Sequence, residues 1–131
     1  MEETRLAVNG TLMRGMPLNN NLLRVGAKFL REEKTSPNYR LWSINDKYPA
    51  MIRDEREGTA INLEIWKISE TGVLSILSVE PAGLGIGKVE LASGLVVLGV
   101  LGEPYVIQDQ TEITSFGGWR EYLIKKGNSE D

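Results

Sequence analysis

The sequence predicts an α+β domain in which a small closed, β-barrel-like or strongly bent sheet carries flanking helices. Three observations lead there. Apolar residues recur with period two along most of the chain, whereas helix-like stripes are short and scattered. Residues 95–101 form an apolar run with the length of a buried strand, far below a membrane span. Glycines and turn residues separate these segments at short intervals, and strands mixed with a few helices make an α+β architecture.

The elements follow in order. Leu6 and Val8 open an alternating strand that ends at Asn9-Gly10. Asn19 is placed to cap a short helix over 20–25, with Gly26 as its stop. Leu22, Leu23, Phe29 and Leu30 would also suit one longer helix, but a break at Gly26 favours a strand over 27–35. Residues 39–44 carry apolar or aromatic side chains on both faces, as a strand packed on both sides does. Ile61, Leu63 and Ile65 alternate with Asn62, Glu64 and Trp66, a period of two. Ser69 caps a helix whose Val73, Leu74, Ile76 and Leu77 share one stripe, and Pro81 ends it.

Further on, residues 89–91 and 95–101 flank Ala92-Ser93-Gly94, a hairpin turn, and 104–107 continue or cap that sheet. The last helix sets Trp119, Tyr122 and Leu123 on one face, with Lys125 and Lys126 at its C-terminal pole. Gly127 stops it and leaves 128–131 as a frayed tail. Residues 54–57 read as a charged turn before Gly58. With 131 residues, no repeats and no linker, the expected organisation is one domain over 1–131.

Composition limits the chemistry. The chain has no histidine and no cysteine. Serine–histidine and cysteine–histidine hydrolase mechanisms are therefore excluded, as are the usual thiolate and imidazole zinc sites. No metal and no cofactor is called for. Proton transfer must fall to a carboxylate, a lysine, a tyrosine or water. A net charge of −3 argues against nucleic acid or an anionic membrane as the main partner. The N-terminus lacks the basic start and apolar stretch of a signal peptide, so a soluble, cytoplasmic domain is the expectation.

Four groups of residues are candidates for function, each with a plain structural alternative. The turn from Asn9 to Gly15 either relieves backbone strain or cradles an anion through the amides of Gly10, Thr11 and Leu12. Met13 and Met16 beside it suit core filling. Gly83, Gly85 and Gly87 have G-x-G-x-G spacing, not the G-x-G-x-x-G of a dinucleotide site, and let a loop lie close over a pocket or another backbone. Glu80 lies between an apolar stripe and Pro81, where partial burial would raise its pKa for acid/base work; the alternative is a solvated helix-end glutamate. Tyr39 and Arg40 either present a phenol and a guanidinium to a ligand carboxylate or cover a sheet edge. Glu90 lies in a strand, where one face is buried.

These pieces form a recognisable series. Asn9-Gly10-Thr11-Leu12 precedes Gly15-Met16-Pro17-Leu18-Asn19 and then Asn38-Tyr39-Arg40-Leu41. Pro81-Ala82-Gly83-Leu84-Gly85-Ile86-Gly87-Lys88-Val89-Glu90-Leu91 and Ser115-Phe116-Gly117-Gly118-Trp119-Arg120 follow. The series resembles the γ-glutamylcyclotransferase-like superfamily, and within it the small domain at the C-terminus of allophanate hydrolases, over nearly the whole chain. The resemblance implies a cavity beside the first strand's turn, in which Asn9, Gly10, Thr11 and Leu12 bind substrate and Glu80 moves protons. Asn9 stands where the cyclotransferases usually have tyrosine and Thr11 where they have serine. Glu80 follows Trp66 by fourteen positions, a separation similar to theirs, yet the Pro81 and glycine segment follows the hydrolase-type pattern.

The implied ligand is a small carboxylated amide, either a γ-glutamyl compound or an N-carboxycarbamate of the kind linked to allophanate breakdown. Tyr39, Arg40, Gly85 and Gly87 would complete its site. The alternative is a non-catalytic module that stabilises a separate amidase or forms a homodimer through apolar strand surface and Trp42, Trp66 and Trp119.

Overall fold

In the computed structural model, which describes residues 3–129, β1 (Glu3–Val8) runs through the middle of a five-stranded sheet. Leu6, Ala7 and Val8 are all buried, so both faces of this strand are covered. On one side it pairs antiparallel with β5 (Asn62–Ser69), and on the other it runs parallel to β7 (Val96–Gly102). The edges are β2 (Lys28–Lys34) and β6 (Leu84–Glu90). A second sheet has the order β4 (Tyr48–Arg53), β3 (Tyr39–Ile44) and β8 (Thr111–Glu112).

Helices α1 (Asn20–Arg24), α2 (Glu70–Val79) and α3 (Trp119–Ser129) flank the sheets, which gives the expected α+β class. No ladder closes either sheet into the expected barrel. The edges β2 and β6 meet only at the bridge between Thr35 and Leu91. No described helix is long and apolar enough to cross a membrane.

Several elements differ from expectation for identifiable reasons. The glycine segment is not a loop: residues 84–87 belong to β6 and pair with β7 from Gly102 to Gly99. β4 was not foreseen, because Pro49 lies inside it. It is an edge strand, where the missing N–H is tolerated. Residues 104–107 form a 3-10 turn, not a continuation of the sheet. Gly127, an exposed residue, does not stop α3, which runs on to Ser129. Residues 130 and 131 of the anticipated tail lie outside the described residues. Trp42, Trp66 and Trp119 are buried at 8%, 2% and 2% exposure and therefore supply no docking surface.

The alternation in β5 suggests one apolar and one mixed face, but both are covered. Glu64 is only 1% exposed. Its Oε1 accepts from the Arg14 amide at 3.0 Å and the Trp66 indole at 3.1 Å. Its Oε2 accepts from Arg14 Nε at 3.1 Å and Arg120 Nη2 at 3.0 Å. Arg120 also donates to the Arg14 carbonyl, and the Arg14 guanidinium lies over the Phe29 ring. A buried carboxylate survives only with such a set of donors. This one ties the loop after β1 to β5 and α3.

The β3–β4 turn is held similarly. Lys126, Ser43 and Tyr122 all donate to Asp46, whose carboxyl is pulled down to about 2, chiefly by Lys126.

Arg120→Ala should cost about 3 kcal/mol in denaturant unfolding, because it leaves an interior charge short of a donor. Adding Glu64→Leu should restore part of that loss. Strict additivity of the two changes would show that they do not act as one network.

Candidate functional site

The site begins where β1 ends. Gly10 is buried, and a Cβ there would land inside the Pro49 ring of β4. The turn can therefore lie against the second sheet only without a side chain at this position. Its hydrogen bonding is asymmetric. The carbonyls of Gly10 and Thr11 accept from the amides of Met13 and Leu18, and that of Leu12 accepts from Asn19 Nδ2. The N–H groups of Gly10, Thr11 and Leu12 donate to nothing among the described residues. The turn is thus a cluster of unused donors, the arrangement that binds oxyanions. Asn19 does not cap α1 with its side chain, since that side chain is spent on Leu12.

The second component comes from α2. Ser69 caps its start through the Gly72 amide, and Pro81 follows its end. Glu80, the C-cap, has extended backbone at φ −69° and ψ 146°, which turns it out of the helix and onto the β1 turn. A single hollow is lined by Asn9, Gly10, Thr11 and Leu12 on one side and Glu80 on another, with Tyr48 and Leu84 beside them. The space open to the centre of a water-sized sphere is about 20 Å³. Room of that kind suits a water or a compact ligand.

Burial pushes the Glu80 carboxyl above the usual glutamate range. No hydrogen bond or ion pair to its side chain is formed among the described residues.

Other expected site residues are not brought here. Tyr39 is fully buried and its hydroxyl accepts from the Glu90 amide at 2.9 Å, so it is a core residue and presents no phenol to a ligand. Arg40 is held on the outer surface by Glu112 and Asp54 and stacks over Trp42. Gly85 and Gly87 lie in β6 without lining the hollow. Their neighbour Leu84 does so instead. Glu90 accepts from Asn38 Nδ2 and is likewise structural. Tyr48, Pro49 and Val100 line the hollow without having been anticipated. The signal for the first two was the Asn45-Asp46 pair, whose φ values of 52° and 57° make the hairpin turn that delivers them.

The fold is similar to that of γ-glutamylcyclotransferase-like proteins. A γ-glutamyl cyclotransferase superposes with a TM-score of 0.54 at 14% identity, over 78% of this chain and 68% of that one. The chain belongs to the allophanate hydrolase C-terminal domain family, whose model matches residues 4–124. It is 33% identical over 129 residues to a urea amidolyase of Lachancea kluyveri, an alignment covering 93% of this chain and 7% of that protein. The chain thus spans a small part of the curated relatives it matches.

Among solved structures, a uropathogenic E. coli-specific protein is 51% identical with a TM-score of 0.92, covering 94% of this chain and 97% of that one. The allophanate hydrolase of Kluyveromyces lactis is 31% identical with a TM-score of 0.89, over 95% of this chain and 22% of that one.

Because the folded-state pKa of Glu80 is raised, the folded protein keeps that proton to higher pH than the unfolded chain does. The contribution is full below the unfolded pKa and is lost as pH rises through the folded one. As pH rises above the ordinary glutamate value of about 4, wild-type unfolding free energy should therefore fall relative to Glu80→Gln, which carries no such proton. Parallel pH profiles in urea titrations would show that Glu80 is solvated as in the unfolded chain.

Proposed function

We propose that the hollow binds a compact carboxylated amide or carbamate, held through the amides of Gly10, Thr11 and Leu12, while Glu80 moves a proton at the ligand nitrogen. One observation carries this reading: unused main-chain donors and an unpaired, partly buried carboxylate line the same small space. Membership of the allophanate hydrolase C-terminal domain family supports it. So does similarity to proteins named urea amidolyase and allophanate hydrolase. The restricted clearance favours a ligand of N-carboxycarbamate size over a γ-glutamyl compound.

For an N-carboxycarbamate the step balances without a cofactor. Protonated Glu80 gives its proton to the nitrogen as one C–N bond breaks, carbon dioxide leaves, and carbamate remains. Glu80 then recovers a proton from water. The Gly10, Thr11 and Leu12 amides hold the carboxylate that stays behind in the carbamate, so their hydrogen bonds persist through the step. An anion seated on these donors also lies near Glu80. It would raise the carboxyl pKa further, so binding takes up a proton and weakens as pH rises. A cytoplasmic setting belongs to the same proposal.

A second reading, in which the domain docks on an amidase or on a second copy, is supported by a different observation. Leu74, Leu95 and Val96 are 65%, 54% and 52% exposed. The relatives also carry this domain within much longer chains.

One assay separates the readings. N-carboxycarbamate is generated in place by an allophanate-cleaving amidase, and carbon dioxide release is followed with and without the domain. Wild type should accelerate release, and Glu80→Gln should lower that acceleration by about 100-fold or more while remaining folded. Rates indifferent to Glu80 would remove its acid/base role and leave the assembly reading.

A further inference from the structure

Asn9 is 3% exposed, and its side chain is fixed from one end only. Nδ2 donates to the Val100 carbonyl at 3.1 Å and lies 3.7 Å from the Met51 sulfur. A carbonyl can only accept, so the NH2 group must face Val100 and the amide cannot be turned round. Oδ1 consequently points the other way and accepts nothing among the described residues. It is not sealed in either: among the described residues no side-chain nitrogen or oxygen is both buried and partnerless. The space Asn9 borders is the hollow shared with Gly10, Thr11, Leu12 and Glu80.

The neighbours of this oxygen differ from it in kind. At Gly10, Thr11 and Leu12 the carbonyls are taken and the main-chain groups left over are N–H donors. Glu80 is a donor when protonated and an acceptor when ionised, and the hydroxyls of Thr11 and Tyr48 can rotate to serve as either. Oδ1 is therefore a side-chain acceptor whose character changes neither with pH nor with rotation of a proton.

We infer that Asn9 Oδ1 determines specificity: it selects, among small carboxylates, those bearing an N–H beside the carboxylate. This deepens the reading above and rests on it, since the carboxylate must sit on the Gly10–Leu12 donors for its neighbouring nitrogen to reach Asn9. A ligand of equal shape with a methyl group there leaves Oδ1 dehydrated and unpaired, the situation in which a polar site rejects an isostere most strongly.

The test uses oxamate and pyruvate, two carboxylates of the same size and charge that differ in an amide NH2 against a methyl group. Their affinities are measured by heteronuclear NMR titration of the full chain, with the Gly10, Thr11 and Leu12 amides as reporters. Wild type should bind oxamate at least about tenfold more tightly than pyruvate. Asn9→Ala should bring the two affinities together. The wild-type comparison stands even if that variant fails to fold.

Equal affinities in wild type, with shifts at the three amides, would overturn the role of Asn9 while leaving the anion site intact. Binding of neither ligand would overturn the anion site and this inference with it.

Discussion

The structure turns on one interior charge. Glu64 lies among apolar strands at 1% exposure, where an isolated carboxylate would be costly by several kcal/mol. Its two oxygens take four hydrogen bonds, two of them from Arg14 and one each from Trp66 and Arg120. The choice of partners matters more than the number. Arg14 belongs to the loop that leaves β1, and Arg120 to the first turn of α3. The acid therefore fixes the path of the segment that carries the free amides. A neutral residue at 64 would pack, but it would not pull that loop into one position.

The hollow then follows from two exclusions. Gly10 has no side chain because the Pro49 ring occupies the space, which brings the β1 turn against β4. Pro81 ends α2, so Glu80 leaves helical geometry and faces the same space. Desolvation raises the carboxyl while unused N–H groups lie nearby. These two tendencies do not cancel. Burial shifts the acid toward its neutral form, and the donors favour an anion. In the proposed reading a small carboxylated ligand satisfies both, whereas a neutral apolar one satisfies neither.

Much of this was legible in the residues. The bounds of β3, the Ser69 cap, the Gly26 stop and the Ala92-Ser93-Gly94 turn all rest on local chemistry that tertiary structure did not override. The turn at Asn9–Leu12 and the carboxylate of Glu80 were readable because the resemblance paired them. The failures at Tyr39, Arg40 and Glu64 share a cause: each concerned what covers a residue, which sequence does not state. Tyr39 and Arg40 are adjacent, yet one is sealed in the core and the other braced on the surface by Glu112 and Asp54. Glu64 looked like the polar half of an alternating strand until its second face was seen to be covered. Glycine spacing suggested a loop at 83–87, but antiparallel pairing with β7 made most of it strand.

The claim that the β1 turn is an anion cradle facing Glu80 can be examined without knowing the natural ligand. Formate is small enough for the available clearance and carries little besides a carboxylate. In a proton–nitrogen correlation spectrum, saturating formate should move the Gly10, Thr11 and Leu12 amide protons downfield and perturb few others. Shifts spread over surface lysines and arginines, with those three resonances unmoved, would contradict the account.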